Sequence, residues 1–281
     1  GFYKKTKDAK GKTEILTLDL NTMEYGPKQK AKFQSLEVLK PIDDLKKRIK
    51  TFSKQTDKAA QFFNESLFGL FQYVSNRIPE ISDELYRIDD AMRAGFGWEL
   101  GPFEYWDAIG AREGVQRMIE AGYEPARWVE EMLEHGKESF YIVENGHRRY
   151  YDINSKEYKA IPGAENFIIL DNLRGSKLIW KNSGASVIDL GDGILNVEFH
   201  SKMNTLGGDV IQGLMKGVEL AEKDFRGMVV GNQGANFSAG ANLGLVYMYA
   251  LEQEYDEINF MIKQFQDTMM RMRYSAIPVV G

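Results

Sequence analysis

Met228-Val229-Val230-Gly231-Asn232-Gln233-Gly234-Ala235-Asn236-Phe237-Ser238-Ala239-Gly240-Ala241-Asn242-Leu243 decides how this chain is read. An apolar run suited to a buried strand passes into a loop of small residues, and helical spacing resumes at Leu243. Small side chains let the backbone approach a ligand closely, and the N–H groups that open a helix point at anionic or polarised oxygen. Such preorganised donors stabilise charge that develops on an ester or thioester carbonyl. The plainer alternative is a tight strand-to-helix turn with Gly240 chosen for a positive φ, and spacing alone favours that alternative. A P-loop is excluded because the loop has no Lys, and the glycines lack the G-x-G-x-x-G spacing of a dinucleotide site.

Upstream of the loop the pattern is strand, turn, strand, helix, strand. Val187 to Leu190 and Ile194 to Phe199 flank the turn Gly191-Asp192-Gly193, and Val210 to Ala221 predicts a helix with Ile211, Leu214, Met215 and Val218 on one face. Helices are predicted near Leu243–Leu251 and Tyr255–Arg273, before a strand at Ile277–Gly281. Residues 140–153 form a hairpin around Asn145-Gly146, and 155–184 read as a connector with one short element.

The first half reads as all-α, apart from a short hairpin over 12–25 and a basic, irregular stretch to Pro41. A helical pattern starts at Ile42 and carries Phe62, Phe63, Leu67, Leu70, Phe71 and Val74 to a stop at Pro79. A further helix runs from Ile81, with Ser82 as N-cap, to Gly95 as C-cap. Others follow at Phe103–Ile109, Arg112–Ala121 and Pro125–Glu134, with Pro125 in a first turn. The aromatic runs Phe62-Phe63 and Phe68 to Tyr73 are read as core.

Composition sets outer limits. The 281 residues allow one large or two modest domains, and the formal charge of −5 argues against a general nucleic-acid binder. With no Cys, thiolate chemistry and disulfides are excluded, and the three histidines His135, His147 and His200 lack metal-ligand spacing. His200 is read as a partly buried structural histidine and His135 as a helix C-terminal one. Asp89, Asp90, Glu99 and Glu104 are read as helix caps or a solvated face. No apolar run reaches the ~18 residues of a membrane span, so the expected location is the cytoplasm. The start without Met and the close on a strand-like run are read as marks of a segment from a longer polypeptide.

Residues 187–281 resemble the first half of the crotonase, or enoyl-CoA hydratase and isomerase, family. The likeness rests on the initial hairpin, Lys202-Met203-Asn204-Thr205 before the first helix, and Phe237 to Leu243. It implies that the Ala241 backbone N–H is one oxyanion-hole donor to an acyl-CoA thioester. It further implies that Lys202, Met203 and Ala239, with Gly240, Asn242 and Leu243, line the CoA site; many members carry Asp where Asn242 stands. The second donor, a glycine, and the catalytic glutamates match positions beyond Gly281.

Ile88-Asp89-Asp90-Ala91-Met92, Gly95 through Glu104 and Asp107-Ala108-Ile109-Gly110 are similar to the helical C-terminal domain of 3-hydroxyacyl-CoA dehydrogenases. Gly1-Phe2-Tyr3-Lys4-Lys5 likewise resembles the end of that domain's first helical repeat. The fold expected is therefore multi-domain α and α/β. It comprises an all-α dehydrogenase-type domain over 1–139, a hairpin and connector over 140–185, and the N-terminal part of a crotonase-type ββα spiral over 186–281. The resemblances imply a fatty-acid β-oxidation enzyme that hydrates 2-enoyl-CoA and oxidises 3-hydroxyacyl-CoA. NAD would be bound by a domain outside this segment, the intact protein would be a homo-oligomer, and the segment alone would be inactive. The alternative is a non-catalytic acyl-CoA-binding or assembly module. No metal, nucleic acid or membrane span is expected.

Overall fold

The computed structural model describes residues 1–7, 11–28, 31–164, 167–234 and 236–281. The chain divides into two compact units, Gly1–Phe140 with Ile153–Lys156, and Tyr141–Asp152 with Glu157–Gly281.

The first unit opens on a three-stranded antiparallel sheet, β1 (Tyr3–Lys7), β2 (Thr13–Leu18) and β3 (Tyr25–Pro27). The all-α expectation therefore fails at this end. The β2–β3 hairpin was legible, and Asp19 closes it by accepting from the Asn21 and Thr22 N–H groups at 2.8 and 3.1 Å. Seven helices follow: α1 (Gln34–Leu39), α2 (Leu45–Ser53), α3 (Lys58–Asn76), α4 (Leu85–Phe96), α5 (Pro102–Ile109), α6 (Ala111–Glu120) and α7 (Arg127–Glu134).

Several boundaries differ from the sequence reading. α1 lies in the stretch expected to be irregular. The single pattern from Ile42 is two helices, because Asp57 interrupts it as the N-cap of α3, accepting from Ala60 N–H and from Ser35. Ser82 is not a cap: its hydroxyl bonds the Glu84 carbonyl, and α4 starts at Leu85. The C-cap is Gly97, with φ +67°, rather than Gly95. Pro125 precedes α7, whose first residue is Arg127. Of the aromatic run, Phe68 and Phe71 are buried, whereas Phe62 and Tyr73 are 73% and 59% exposed, so the run has a wet side.

The Asp89 to Glu104 string has a packing explanation. Asp89 on α4 is wholly buried and accepts from the Phe103 N–H at 2.9 Å; Glu104 accepts from the Gly101 N–H at 2.6 Å and pairs with Arg93. Two carboxylates thus satisfy the orphan donors that begin α5. A Cβ on Gly101 would lie 2.3 Å from Asp89 Cβ, so this approach requires glycine. Beneath it, Trp106 stacks on Phe71 with ring centroids 4.6 Å apart, and Phe140 closes on Phe103 and Trp106.

The second unit begins with the antiparallel sheet β4 (Tyr141–Glu144), β5 (His147–Asp152) and β6 (Glu157–Ala160). Asn145 and Gly146 turn its hairpin at φ +52° and +78°, both left-handed as a type I′ turn needs. Among the described residues the connector holds three short elements rather than one: β6, α8 (Leu170–Leu173) and β7 (Leu178–Lys181). Then come β8 (Ala185–Gly191), β9 (Ile194–Phe199), α9 (Gly208–Asp224), β10 (Gly227–Val230), α10 (Leu243–Leu251), α11 (Tyr255–Arg273) and β11 (Val279–Val280). The sheet order is β11-β10-β9-β8-β7, antiparallel from β7 to β9 and parallel from β9 to β11. Helix α9 is the crossover that parallel pairing of β9 and β10 demands.

The buried stripe of α9 is Val210, Gly213, Leu214, Gly217, Val218 and Ala221, packed on Val187, Leu195 and Val197. The predicted stripe is rotated from this one: Met215 is 42% exposed. Glycines set the rotation, since a Cβ on Gly213 would meet Ala185 Cβ at 2.4 Å and one on Gly217 would meet Val197 Cγ2 at 2.3 Å. Gly217→Ala is expected to destabilise this unit by about 1–3 kcal/mol through overpacking, despite alanine's better helix propensity. Urea unfolding checks it, and equal or raised stability would remove the close-approach argument.

α11 is tied to α9 by a bidentate Arg271–Glu222 pair, and Glu222 also accepts from the Ala276 N–H at 2.9 Å. The guanidinium bonds first, and that N–H second, hold the Glu222 carboxyl down to about 2, against an ordinary 4.5. A depressed carboxyl stabilises the fold above its unfolded pKa and loses that contribution as pH falls through the folded one. The stability difference between the native protein and Glu222→Gln is therefore predicted to be constant above about pH 5 and to shrink between pH 4.5 and 2. Urea midpoints measured across that range test it; a difference that grew on acidification would contradict it.

Candidate functional site

β10 ends at Val230, and the loop to α10 doubles back over a 3-10 turn at Lys202–Asn204 that follows β9. The two segments are laced together. Ala239 N–H donates to the Met203 carbonyl at 3.1 Å and Leu206 N–H to the Gly240 carbonyl at 2.9 Å, forming a parallel bridge between Leu206 and Ala241. Side chains lock the same contact: Ser238 Oγ donates to the Asn204 carbonyl at 2.6 Å and accepts from the Gly240 N–H at 3.0 Å. Asn204 and Asn236 each donate to a backbone carbonyl across the gap, Asn204 to Asn236 at 3.0 Å and Asn236 to Met203 at 2.8 Å.

Both limbs contain left-handed backbone. Gly240 has φ +84°, as the plain turn reading requires, and Met203 and Asn204 have φ +54° and +53°. Asn tolerates this region, but Met does so only when its surroundings hold it there, and such outliers collect at ligand sites. The turn's bonds to Ala239 and Asn236 are what hold it.

The sequence-predicted residues meet on this surface. Lys202, Met203, Ala239, Ala241, Asn242 and Leu243 are exposed and Gly240 is half-buried. In a parallel bridge Leu206 addresses the residues on either side of Ala241, so the Ala241 N–H points away from it. That N–H has no hydrogen-bond acceptor among the described residues. Asn242 caps α10, its Oδ1 accepting from the Leu245 N–H at 3.3 Å, which gives the amide a role that needs no charge. Met203 and Leu243, 65% and 75% exposed, put apolar surface beside these polar groups. A carbonyl oxygen at Ala241 N–H, with an apolar chain alongside, fits this arrangement.

Residues that sequence reasoning missed supply the rigidity. Asn232 accepts from the Phe199 N–H at 2.5 Å and donates to the Phe237 carbonyl at 2.8 Å, and Asn196 donates to the Gly231 carbonyl at 3.1 Å. The density of side-chain amides, Asn196, Asn204, Asn232, Gln233, Asn236 and Asn242, was the available signal. His200 is exposed, not partly buried, with Nε2 3.0 Å from Ser186 Oγ. His135 Nδ1 lies 2.6 Å from the Glu131 carbonyl at the end of α7. No group of His, Asp and Glu among the described residues is arranged to hold a metal ion, and no helix there is long and apolar enough to cross a membrane.

This chain is similar in sequence to proteins named as a probable 3-hydroxyacyl-CoA dehydrogenase and as putative fatty acid oxidation complex trifunctional enzymes. Over its full length it is 43% identical to a probable 3-hydroxyacyl-CoA dehydrogenase of Bacillus subtilis (strain 168), of which it spans 35%. It is 26% identical to a putative fatty acid oxidation complex trifunctional enzyme of Rickettsia felis, of which it spans 34%. The chain therefore covers about a third of the length of these relatives. No family model matches it. Among solved structures, the enoyl-CoA hydratase of Thermoplasma volcanium GSS1 aligns with 35% of this chain and 39% of its own, at TM-score 0.30 and 22% identity. That of Shewanella pealeana aligns with 34% and 37%, at TM-score 0.29 and 20% identity.

Ser238→Ala removes the bond that crosses to the Asn204 carbonyl and, within the loop, the acceptor for the Gly240 N–H. It is expected to cost about 1–2 kcal/mol locally and to speed amide hydrogen exchange at residues 239–242. Exchange-rate mass spectrometry reads this out, and unchanged rates would mean the hydroxyl does not hold the loop.

Proposed function

We propose that this chain is part of a fatty-acid β-oxidation enzyme that hydrates 2-enoyl-CoA and oxidises 3-hydroxyacyl-CoA with NAD. The observation that carries the hydratase part is the Ala241 N–H, which has no acceptor among the described residues, on a loop bonded to the turn after β9. The full-length likeness to a probable 3-hydroxyacyl-CoA dehydrogenase supports the oxidative part. In this reading residues 1–139 form a dehydrogenase-type helical domain, 140–185 a hairpin and connector, and 186–281 the N-terminal part of a crotonase-type domain. The intact protein is a cytoplasmic homo-oligomer.

Hydration adds water across the C2–C3 double bond, with OH to C3 and a proton to C2. Negative charge builds on the thioester oxygen as the enolate forms, and a donor aimed there lowers the barrier only if it is already in place. Ala241 supplies that N–H. Lys202 offers a point charge to the phosphates of CoA, and Met203, Ala239, Gly240, Asn242 and Leu243 line the approach. The groups that move protons and activate water are assigned to chain beyond Gly281, so the segment alone is inactive.

The described residues do not fit NAD. Gly191-Asp192-Gly193 turns between the antiparallel strands β8 and β9, whereas a dinucleotide fingerprint needs a strand leading into a helix N-terminus. The loop after β10 does lead into a helix, but its glycines lack the fingerprint spacing. The reading therefore gives the cofactor to another domain, and no hydride step involves these residues.

The test is a full-length protein assayed on crotonyl-CoA with NAD, alongside Ala241→Pro, which deletes the one N–H. Product and NADH should form, and the substitution should lower kcat on the order of 10²–10³-fold while KM changes little. A full-length protein that does not hydrate crotonyl-CoA would sink the proposal.

A further inference from the structure

We infer that Gln233 is a positioning residue, and that the short segment 168–174 is the brace through which it holds the ligand loop. This rests on the proposed hydratase reading for its kinetic consequence but not for its structural one. The segment lies outside the 186–281 region that resembles crotonases.

The Gln233 side chain donates from Nε2 to the Ile168 carbonyl at 2.6 Å and accepts at Oε1 from the Leu170 N–H at 2.7 Å. One amide thus takes both backbone groups that a neighbouring strand would take, and the fit is donor to acceptor at each end. The same segment grips β9: Arg174, at the end of α8, pairs with the buried Glu198 at 2.6 Å and with Asp171 at 2.6 Å. Glu198 stands four residues before Lys202. The segment therefore touches the root of the turn through Arg174 and the root of the loop through Gln233. These are the two strands of chain whose pairing presents Ala241. A cavity of about 330 Å³ separates the two grips, lined by Ile169, Leu170, Asp171, Arg174, Glu198 and Gln233. Polar contacts on either side of it, Gln233 with the 168–170 backbone and Arg174 with Glu198, tie the two limbs to this segment.

A donor displaced by a fraction of an ångström still binds substrate but meets the developing charge poorly, so the effect should fall on kcat. In the full-length protein, Gln233→Met keeps the length of the side chain and removes both bonds. It is expected to lower kcat on crotonyl-CoA by ~10-fold with KM within ~2-fold, and to speed hydrogen exchange at residues 238–242. Gln233→Glu gives a sharper readout. An ionised carboxyl keeps the acceptor half but faces the Ile168 carbonyl with charge, whereas a protonated one restores donor and acceptor together. Among the described residues, the titratable groups that line the cavity beside it are Asp171, Arg174 and Glu198. The kcat of this variant relative to the native protein should rise as pH falls through the introduced group's titration, and that of Gln233→Met should not.

Three results would overturn the inference: unchanged exchange in Gln233→Met, a matching loss of kcat and gain in KM, or a Gln233→Glu pH profile parallel to that of Gln233→Met. If the native full-length protein lacks hydratase activity, the functional proposal fails and exchange alone decides the brace.

Discussion

Two backbone hydrogen bonds, Ala239 to Met203 and Leu206 to Gly240, set the geometry on which the candidate site depends. They join the chain just after β9 to the chain just after β10, and so convert two loops into a short parallel pairing outside the sheet. Paired this way, the Ala241 N–H has no acceptor among the described residues. A free loop of small residues would lose its orientation to conformational entropy. The surrounding side-chain amides are answers to that cost: each bonds backbone, and together they remove the loop's alternatives.

The same logic operates in each unit. In the second, Gly213 and Gly217 let α9 settle on Ala185 and Val197, which fixes where β9 and β10 end and hence where both limbs begin. In the first, Gly101 lets α4 close on the start of α5, where Asp89 and Glu104 satisfy buried N–H groups. Glycine supplies the approach and a polar side chain completes the hydrogen bonding, at a buried helix terminus in one case and at the candidate-site loop in the other.

What the sequence made legible follows from range. Local signals read well: the Asn145-Gly146 and Asp192-Gly193 turns, the β9-α9-β10 unit, and the strand-loop-helix at 228–243 all appear where periodicity and turn chemistry put them. Features set by distant partners did not. Asp57 breaks a continuous helical pattern because Ser35 reaches it from 22 residues away, and the buried face of α9 is rotated because Ala185 and Val197 press on it. Strand β1 was not legible since its pairing with β2, not side-chain period, defines it. At the candidate site, the resemblance singled out the segments around Lys202 and Ala241, and the structure pairs them. The amides that hold them were not legible, because Asn and Gln in loops look alike whether they bond water or backbone.

The central claim, that the Ala241 N–H polarises an acyl-CoA carbonyl, is open to a direct spectroscopic measurement on the full-length protein. An isotope-edited infrared difference spectrum of an enoyl-CoA labelled with ¹³C at the thioester carbonyl reports the strength of the bond to that oxygen. The account predicts a bound carbonyl band at lower frequency than in water, moved back toward the free value by Ala241→Pro. A bound ligand whose band coincides with that of the free thioester, or whose shift survives the substitution, would contradict it.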